Sequence, residues 1–146
     1  MNTIVNVKKL DPQARLPVYG SEYAAGADLY SCGGEITIAP HETQFVHTGI
    51  SVETPQGLVG LVYARSGLAC KRGLAPANKV GVIDCDYRGE IMVALHNHTN
   101  EPKTVAAGER IAQLVIAPYI TANYQEVEEL SQTVRGEGGF GSTGTK

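Results

Sequence analysis

Short apolar segments alternate with polar turns along most of this chain. In residues 90–96, Ile91, Val93 and Leu95 would share one face, as expected of a half-buried strand, and residues 44–50 show the same alternation. Further strands are predicted at residues 36–38, 58–63, 80–83 and 111–116, where apolar runs are separated by Gly, Pro, Asn or His-Glu turns. The pattern predicts an all-β sandwich or jelly roll.

A single short helix is predicted at residues 66–73, which would make about two turns. Ser66 would cap its start and Gly73 would close its end. The 146 residues are 42% hydrophobic, which is enough for one sizeable core within one domain. We expect this domain to span residues 1–130.

Composition and charge disfavour several classes of function. The net charge is −3 without a long basic block, so binding to a nucleic acid polymer is disfavoured. The chain has neither an apolar leader nor a run of about 18 apolar residues, so we expect an unexported protein without a membrane partner. Three widely spaced cysteines fit neither a disulfide framework nor a zinc motif, and they indicate reduced thiols in the cytoplasm.

The last sixteen residues, 131–146, have a different composition. Five of them are glycine, and Val134 and Phe140 are the only large apolar residues. A disordered tail is the simplest interpretation. The same segment, however, sets Arg135, Phe140 and hydroxyl groups among glycines, which are the groups needed to pair with a phosphate and to stack on a base.

Two internal motifs contain chemistry-bearing side chains. Residues 81–90 place Asp84 two residues before a second acid, beside Tyr87, so Asp84 is a candidate general base and Tyr87 a surface for a ring-shaped ligand. Residues 64–68 bring Arg65 and Ser66 to the predicted start of the helix, as in a phosphate cradle. An Asp-rich turn and an ordinary helix cap with a surface arginine are the alternatives.

Two weaker signals have simpler explanations. His96 and His98 have a spacing that some metal sites use, but a third ligand is not indicated and a hairpin rim with solvated histidines is favoured. Cys85 would be a nucleophile only with a base, and its sequence neighbourhood contains no histidine.

The order and spacing of the motifs resemble the trimeric dUTPase family, which carries five ordered motifs. The matching segments are residues 25–30, 64–68, 81–89 and 108–114, followed by the glycine-rich tail. Two departures are visible: Ala64 stands where the family commonly has proline, and Glu109 where it commonly has aspartate.

This resemblance implies a jelly-roll-like distorted β-barrel with one short helix, assembled as a homotrimer with a swapped C-terminal tail. Its active sites would lie between subunits, and residues 131–146 would form a flexible lid that orders over bound nucleotide. The implied activity is that of a dUTP diphosphatase. Water attack on the α-phosphorus of dUTP would yield dUMP and pyrophosphate, limiting uracil incorporation into DNA and supplying dUMP for thymidylate synthesis.

The resemblance also implies a role for each site residue. Asp84 would activate the water, Gln113 would contact the phosphates, and Asp28 would position Arg65 or the magnesium waters. Mg²⁺ would be held by the triphosphate and water without a direct protein ligand. The remaining substrate-binding residues are Arg65, Ser66 and Gly67 at the phosphates; Asn78, Gly81, Val82 and Ile83 at the uracil; Tyr87 at the deoxyribose; and Arg135, Phe140, Gly141 and Ser142 in the tail.

Two other functions remain as alternatives. Deoxycytidine triphosphate deaminases share this fold and much of the third motif, but they need a carboxylate ten residues after the Asp84 position, where this chain has Ala94. A non-catalytic trimeric interaction scaffold would not need the acid, the arginines or the tail.

Overall fold

The computed structural model describes residues 3–144, which form twelve strands and one helix. The elements, in chain order, are β1 Asn6–Lys9, β2 Val18–Tyr19, β3 Ala27–Tyr30, β4 Ile36–Ile38, β5 Thr43–His47, β6 Ile50–Glu53, β7 Leu58–Tyr63, α1 Ser66–Arg72, β8 Leu74–Pro76, β9 Gly81–Ile83, β10 Met92–Asn97, β11 Lys103–Val105 and β12 Arg110–Pro118. The prediction of an all-β protein with one short helix is confirmed.

Four sheets organise these strands. The largest has five strands in the order β2-β3-β12-β7-β9, and a three-stranded sheet has the order β5-β10-β8. The pairs β1-β6 and β11-β4 form two smaller sheets. All the strand pairs are antiparallel, and the sheets do not join into one closed barrel.

The core lies between the sheets and is built from alternate strand residues. Ile91, Val93 and Leu95 have exposures of 1%, 2% and 0%, which confirms that they face inward together. They are joined by apolar side chains from most other strands, including Leu29, Ile38, Val46, Ile50, Leu74, Val105 and Ile111. One contiguous core therefore supports the whole set of strands.

The prediction of one strand at residues 44–50 is wrong, because a turn divides it into β5 and β6. Gly49 has φ +69°, a left-handed conformation that favours glycine. A Cβ at this position would also lie 2.8 Å from Cys32 Sγ and 2.9 Å from Ala14 Cβ. The alternation of polar and apolar residues continues through the turn at Gly49, so the pattern alone does not reveal the break between β5 and β6.

The helix begins one residue differently from the prediction. Arg65 occupies the N-cap position with extended backbone and without a side-chain cap hydrogen bond, so Ser66 is the first helical residue and not the cap. Gly73 ends the helix as predicted, with φ +67° and its N–H bonded to Ala69 O at 3.1 Å. Leu68, buried to 4% exposure, anchors the helix on the core.

The other predicted strands are present, with shifted ends in three cases. Residues 36–38 and 58–63 match β4 and β7. Strand β9 starts at Gly81, the strand predicted at residues 90–96 is β10 at Met92–Asn97, and β12 extends from Arg110 to Pro118. Strands β1, β2, β3, β8 and β11 were not predicted; each is four residues or shorter, which leaves little periodicity to detect. Across residues 3–144, no helix has the length and apolar character needed to cross a bilayer.

Candidate active site

Three adjacent strands of the large sheet bring the first, second and fourth motifs together. In β12, Gln113 pairs with Asp28 of β3 on one side and with Tyr63 of β7 on the other. Arg65 follows two residues after Tyr63, between β7 and α1. Directly opposed residues of antiparallel strands project from the same face, so Asp28 and Gln113 meet although 85 positions separate them in the sequence (113 − 28 = 85).

Asp28 is the anionic centre of this group. Its Oδ1 accepts from Arg65 Nε at 2.7 Å and its Oδ2 accepts from Arg110 Nη1 at 3.3 Å. The Asp28 side chain is only 14% exposed, so it is largely removed from water while it is paired with two guanidinium groups. We call Asp28, Arg65, Arg110 and Gln113 the arginine cluster.

A close backbone approach holds Gln113 in place. Its Nε2 donates to Ala64 O at 2.8 Å, which ties the side chain to the residue before Arg65. On the other side of the amide lies Gly26, where a Cβ would come within 3.0 Å of Gln113 Cδ and closer still to Oε1. Only glycine leaves the amide enough room there.

The far end of α1 is clamped to the turn before β12. Arg72 donates to Glu109 Oε1 and to Thr104 O, and the second Glu109 oxygen accepts from Ala106 N at 2.8 Å. The helix that begins just after Arg65 is thereby fixed to the strand that carries Gln113. Ser66 and Gly67, at the opposite end of α1, are exposed to solvent.

A second group lies in the turn between β9 and β10. We call residues 84–90 the Asp84 turn. It closes through a hydrogen bond from Tyr87 N to Asp84 O at 3.1 Å, and Tyr87 Oη donates to Glu90 O at 3.0 Å. Asp84 is exposed, and Tyr87 is 41% exposed. The carboxylate and the ring are both accessible to a ligand.

Asp84 borders two cavities. One of about 180 Å³ is lined by Asp84, Tyr87, Val82 and Ile83, together with Phe45, Glu90 and Met92. The other, of about 790 Å³, is a wide cleft that contains Asp84 with Glu53, Arg88 and Tyr119. The smaller cavity combines the candidate base with the tyrosine ring and β9, so it fits the predicted sugar and base region better. Its volume is below the roughly 300 Å³ of a complete small-molecule pocket, as expected of part of a site.

The turn that connects β8 to β9, which belong to different sheets, carries Asn78. Lys79 has φ +65° at its tip, and Val80 N bonds to Asn78 O at 2.7 Å. Gly81 keeps the end of this turn close to β7, since a Cβ there would lie 3.3 Å from Val62 Cβ and 3.5 Å from Asn78 Nδ2. Asn78 is exposed in this turn, three residues before the first residue of β9.

The arginine cluster and the Asp84 turn are separated within one chain. Gly60 of β7 pairs with Ile83, so Asp84 lies level with Val59, six residues before Arg65. At roughly 3.3 Å per residue this separates Asp84 from Arg65 by about 20 Å along the strand direction. The two groups of predicted site residues therefore lie at opposite ends of β7 within one chain.

Residues 131–144 of the tail form no hydrogen bond with either group. Among residues 131–144, the hydrogen bonds are local, such as Arg135 Nε to Gly138 O at 2.8 Å and Ser142 N to Gly139 O at 3.0 Å. Phe140 has φ +50° and is fully exposed, and Gly141 has φ +85°. The predicted lid residues are thus accessible to a ligand or to a second chain.

Comparison with known proteins gives a consistent result. The family model described as dUTPase matches residues 12–144. A deoxyuridine 5'-triphosphate nucleotidohydrolase of Syntrophotalea carbinolica is 49% identical over 146 residues, covering 99% of each chain. This chain belongs to the dUTPase family. The resemblance seen in its motifs is therefore confirmed.

Solved structures agree with the dUTPase assignment. A mutant dUTPase of Staphylococcus bacteriophage 80alpha, solved with dUpNHpp, has a TM-score of 0.88 at 32% identity and covers 98% of this chain and 99% of that chain. A mutant dUTPase from phage phi11 of S. aureus, described with a structural Mg(II) ion, has a TM-score of 0.78 at 27% identity, covering 87% of this chain and 98% of that chain. The jelly-roll-like fold expected of a dUTPase is thereby confirmed.

The two departures from the usual dUTPase motifs are accommodated locally. Ala64 contributes its backbone carbonyl to Gln113, a contact that does not depend on its side chain. Glu109, in place of aspartate, reaches both Arg72 and the Ala106 amide.

Sequence reasoning assigned no role to Arg110, Gly26 or Arg72, although the first two lie within motifs. A β-bulge between Arg110 and Ala112 shifts the register of β12 against β3, so simple alternation does not indicate that Arg110 reaches Asp28. Its position in the sequence could have identified Arg110 as a site residue, because it lies three residues before Gln113 in the fourth motif.

The two weaker sequence signals, the pair His96 and His98 and the thiol of Cys85, contact other side chains in the structure. The rings of His96 and His98 lie 4.5 Å apart between centroids, and His96 Nδ1 is 3.0 Å from Thr43 Oγ1. Cys85 Sγ lies 3.8 Å from Tyr119 Oη, and this hydrogen bond raises the pKa of Tyr119. Within residues 3–144, no group of three or more His, Cys, Asp or Glu side chains is arranged to hold a metal ion.

Proposed function

We propose that this protein is a dUTP diphosphatase that hydrolyses dUTP to dUMP and pyrophosphate by water attack on the α-phosphorus. Membership of the dUTPase family supports the substrate class. The observation that carries the mechanism is the Asp84 turn, where an exposed carboxylate stands beside an accessible tyrosine ring at the rim of a cavity. A carboxylate so placed can hold a water molecule and accept its proton.

Nucleoside recognition is assigned to the side of this turn that includes β9. Tyr87 would pack against the deoxyribose, with Val82 and Ile83 lining the same cavity. Asn78 and the backbone at Gly81 would contact the edge of the uracil. A base with the wrong donor and acceptor pattern would leave these polar groups unpaired, which costs about 1–3 kcal/mol for each buried group.

Phosphate binding is assigned to the arginine cluster and the start of α1. Arg65, Ser66 and Gly67 would hold the phosphate oxygens, and Gln113 would add an amide contact. Asp28 accepts from Arg65 Nε, which leaves the two terminal nitrogens of that guanidinium available for an anion. The pairing with Asp28 would thus aim Arg65 at the substrate.

A second chain is required to complete this site. About 20 Å of strand separates Arg65 from the level of Asp84, so the arginine cluster of one chain must serve the Asp84 turn of another. We therefore propose that the active sites lie between the subunits of a homotrimer. Residues 1–130 would form the folded domain and residues 131–146 the lid, in which Arg135 and Ser142 contact phosphate while Phe140, beside Gly141, covers the uracil.

The residues present fit a magnesium ion that arrives with the substrate. Asp28 has both carboxylate oxygens engaged with arginines, so a directly bound cation would have to displace them. Mg²⁺ held by the triphosphate and water would neutralise phosphate charge and align the triphosphate for in-line attack. A cytoplasmic location, expected from the cysteine content, stays a prediction.

Deamination is the less favoured activity. Ala94 lies on β10, where its carbonyl accepts from Ala77 N at 2.7 Å, and its methyl group offers no acid to activate water at a pyrimidine ring. A non-catalytic interaction scaffold is also less favoured, because it would not require the accessible carboxylate of Asp84 or the arginines paired with Asp28.

One assay tests the activity: pyrophosphate release from dUTP compared with dCTP, dTTP and UTP, with and without Mg²⁺. We expect rapid release from dUTP alone among the four, and dependence on Mg²⁺. Ammonia release from dCTP at an appreciable rate would instead favour the deaminase, and a lack of turnover with every substrate would favour the scaffold.

The variant Asp84→Asn tests the assigned base. It should still bind a non-hydrolysable dUTP analogue, because the side-chain shape is kept, but it should lose most turnover. Wild-type turnover in this variant would show that another group activates the water.

A further inference from the structure

The ring of Tyr87 lies directly against the backbone of Gly89 within the Asp84 turn. A Cβ at Gly89 would come within 2.5 Å of Tyr87 Cζ and 2.8 Å of Cε2, distances that real Cβ atoms do not show. Gly89 is not among the glycines with positive φ, so its backbone conformation is open to alanine. The glycine is needed there because of the ring and not because of the backbone.

The ring is also held at its outer end. Tyr87 Oη donates to Glu90 O at 3.0 Å. Glu90 is itself anchored to the turn between β5 and β6, since its Oε1 accepts from Gly49 N at 2.9 Å and its Oε2 lies 2.9 Å from His47 Nδ1. The acceptor of the tyrosine hydroxyl is therefore tied to the body of the protein.

These contacts make the ring a fixed wall, although it is 41% exposed. A tyrosine side chain free to turn about its two side-chain bonds would move away from an extra substrate hydroxyl at little cost. An apolar wall rejects an added hydroxyl by only about a hundredfold, and less if the wall yields. Discrimination at such a surface depends on how firmly the ring is seated.

We propose that Gly89 is a positioning residue for sugar selection: by seating the Tyr87 ring, with the Glu90 carbonyl holding its hydroxyl, it fixes the wall that excludes a ribose 2′-hydroxyl. This inference rests on the proposed function, in which Tyr87 contacts the deoxyribose. Gly89 acts through Tyr87 and does not itself touch the substrate.

The test compares kcat/KM for dUTP with kcat/KM for UTP in the wild type and in Gly89→Ala. The added Cβ meets the far end of a side chain, so the chain should fold while the ring is displaced. We expect the dUTP-to-UTP ratio of kcat/KM to fall about tenfold or more. An unchanged ratio in a folded Gly89→Ala protein would overturn the inference.

Gly34→Ala is the matched control. Gly34 also lacks a positive φ, and an added Cβ there would meet nothing within 4 Å. Its dUTP-to-UTP ratio should equal that of the wild type. Circular dichroism and thermal unfolding of both variants separate a displaced ring from a general loss of structure.

Tyr87→Phe supplies an independent measurement if Gly89→Ala does not fold. It keeps the ring and its seat but removes the bond to Glu90 O, so the ratio should fall by a smaller factor, about threefold to tenfold. A wild-type ratio in Tyr87→Phe would count against the fixed wall. If the wild type did not hydrolyse dUTP at all, the proposed function would be wrong. If the wild type hydrolysed dUTP but the variants kept its dUTP-to-UTP ratio, only the inference about Gly89 would be wrong.

Discussion

Asp28 and Arg65 form a hydrogen-bonded ion pair, with 2.7 Å between Oδ1 and Nε, at the junction of β3 with the start of α1. The Arg65 side chain is 27% exposed and Asp28 is 14% exposed, so the pair is partly shielded from water and from salt. Because the contact uses Nε, the guanidinium is oriented while its outer edge stays available. The carboxylate therefore determines where the arginine points.

Asp28→Asn should weaken phosphate binding more than it weakens the fold. The amide leaves Arg65 and Arg110 without their shared counter-charge, and a loss of about 1–3 kcal/mol corresponds to roughly fivefold to 150-fold in kcat/KM for dUTP. Steady-state kinetics and inhibition by pyrophosphate measure this. Glu35→Gln, which makes the same charge change at an exposed turn, is the control. Equal kinetics in the two variants would contradict the role of Asp28.

Gly26→Ala should disturb the amide of Gln113. The new Cβ would lie 3.0 Å from Gln113 Cδ and 3.1 Å from its Cβ, so the side chain must move away from Ala64 O. Overpacking of this kind costs about 1–3 kcal/mol of stability. We expect a lower unfolding temperature together with reduced dUTP turnover.

Gly20→Ala is the control for that variant, because an added Cβ there would meet nothing within 4 Å. If Gly26→Ala matched Gly20→Ala in both unfolding temperature and turnover, the space around Gln113 would be less restricted than the contacts indicate.

The local parts of the fold were predictable and the assembly of the site was not. Alternation identified the buried faces of Val93 and Leu95 because a half-buried strand must alternate. The break at Gly49 escaped the pattern, since it depends on a left-handed backbone packed against Cys32 and Ala14.

Site residues were found singly, but their grouping came from strand pairing. The contact between Asp28 and Gln113 requires β3 to lie beside β12, which local sequence does not specify. Gly26 and Gly89 are needed because another side chain fills the space that a Cβ would take. That side chain is Gln113, distant in sequence, at Gly26 and the bulky Tyr87 at Gly89. Motif order indicated the family, whereas the separation of Arg65 from Asp84 needed the register of β7 with β9.

Phe140→Ala should reduce activity without changing the stability of the folded domain. Phe140 is fully exposed, so its removal should change the free energy of unfolding by no more than about 0.5 kcal/mol. Loss of stacking on the base is worth about 1–3 kcal/mol, or roughly fivefold to 150-fold in kcat/KM.

Val134→Ala removes another fully exposed apolar side chain from the same segment and is the matched control, with wild-type kinetics expected. Deletion of residues 131–146 provides a second measurement. Full activity of the shortened chain would rule out a lid.

His98 should make the folded protein less stable in acid. Although His98 is an exposed residue, partial desolvation of its ring, followed by the charges of His96, Lys79 and His41, lowers the pKa of His98 from its ordinary value of 6.5. The unfolded chain therefore binds the proton more readily than the folded one. The stability contributed by neutral His98 is present above the unfolded pKa and is lost as the pH falls towards the folded pKa.

Thermal unfolding followed from about pH 7.5 to pH 5 tests this. The unfolding temperature of the wild type should fall across that window, and His98→Asn should show a smaller fall while matching the wild type near pH 7.5. The neighbouring charges come from three places: His96 on β10, Lys79 in the turn between β8 and β9, and His41 before β5. Added salt should reduce only the part of the pH dependence of the unfolding temperature that comes from these neighbouring charges. Salt screens interactions between charges but does not change the cost of desolvation. Identical slopes for wild type and variant would assign the acid sensitivity to other groups.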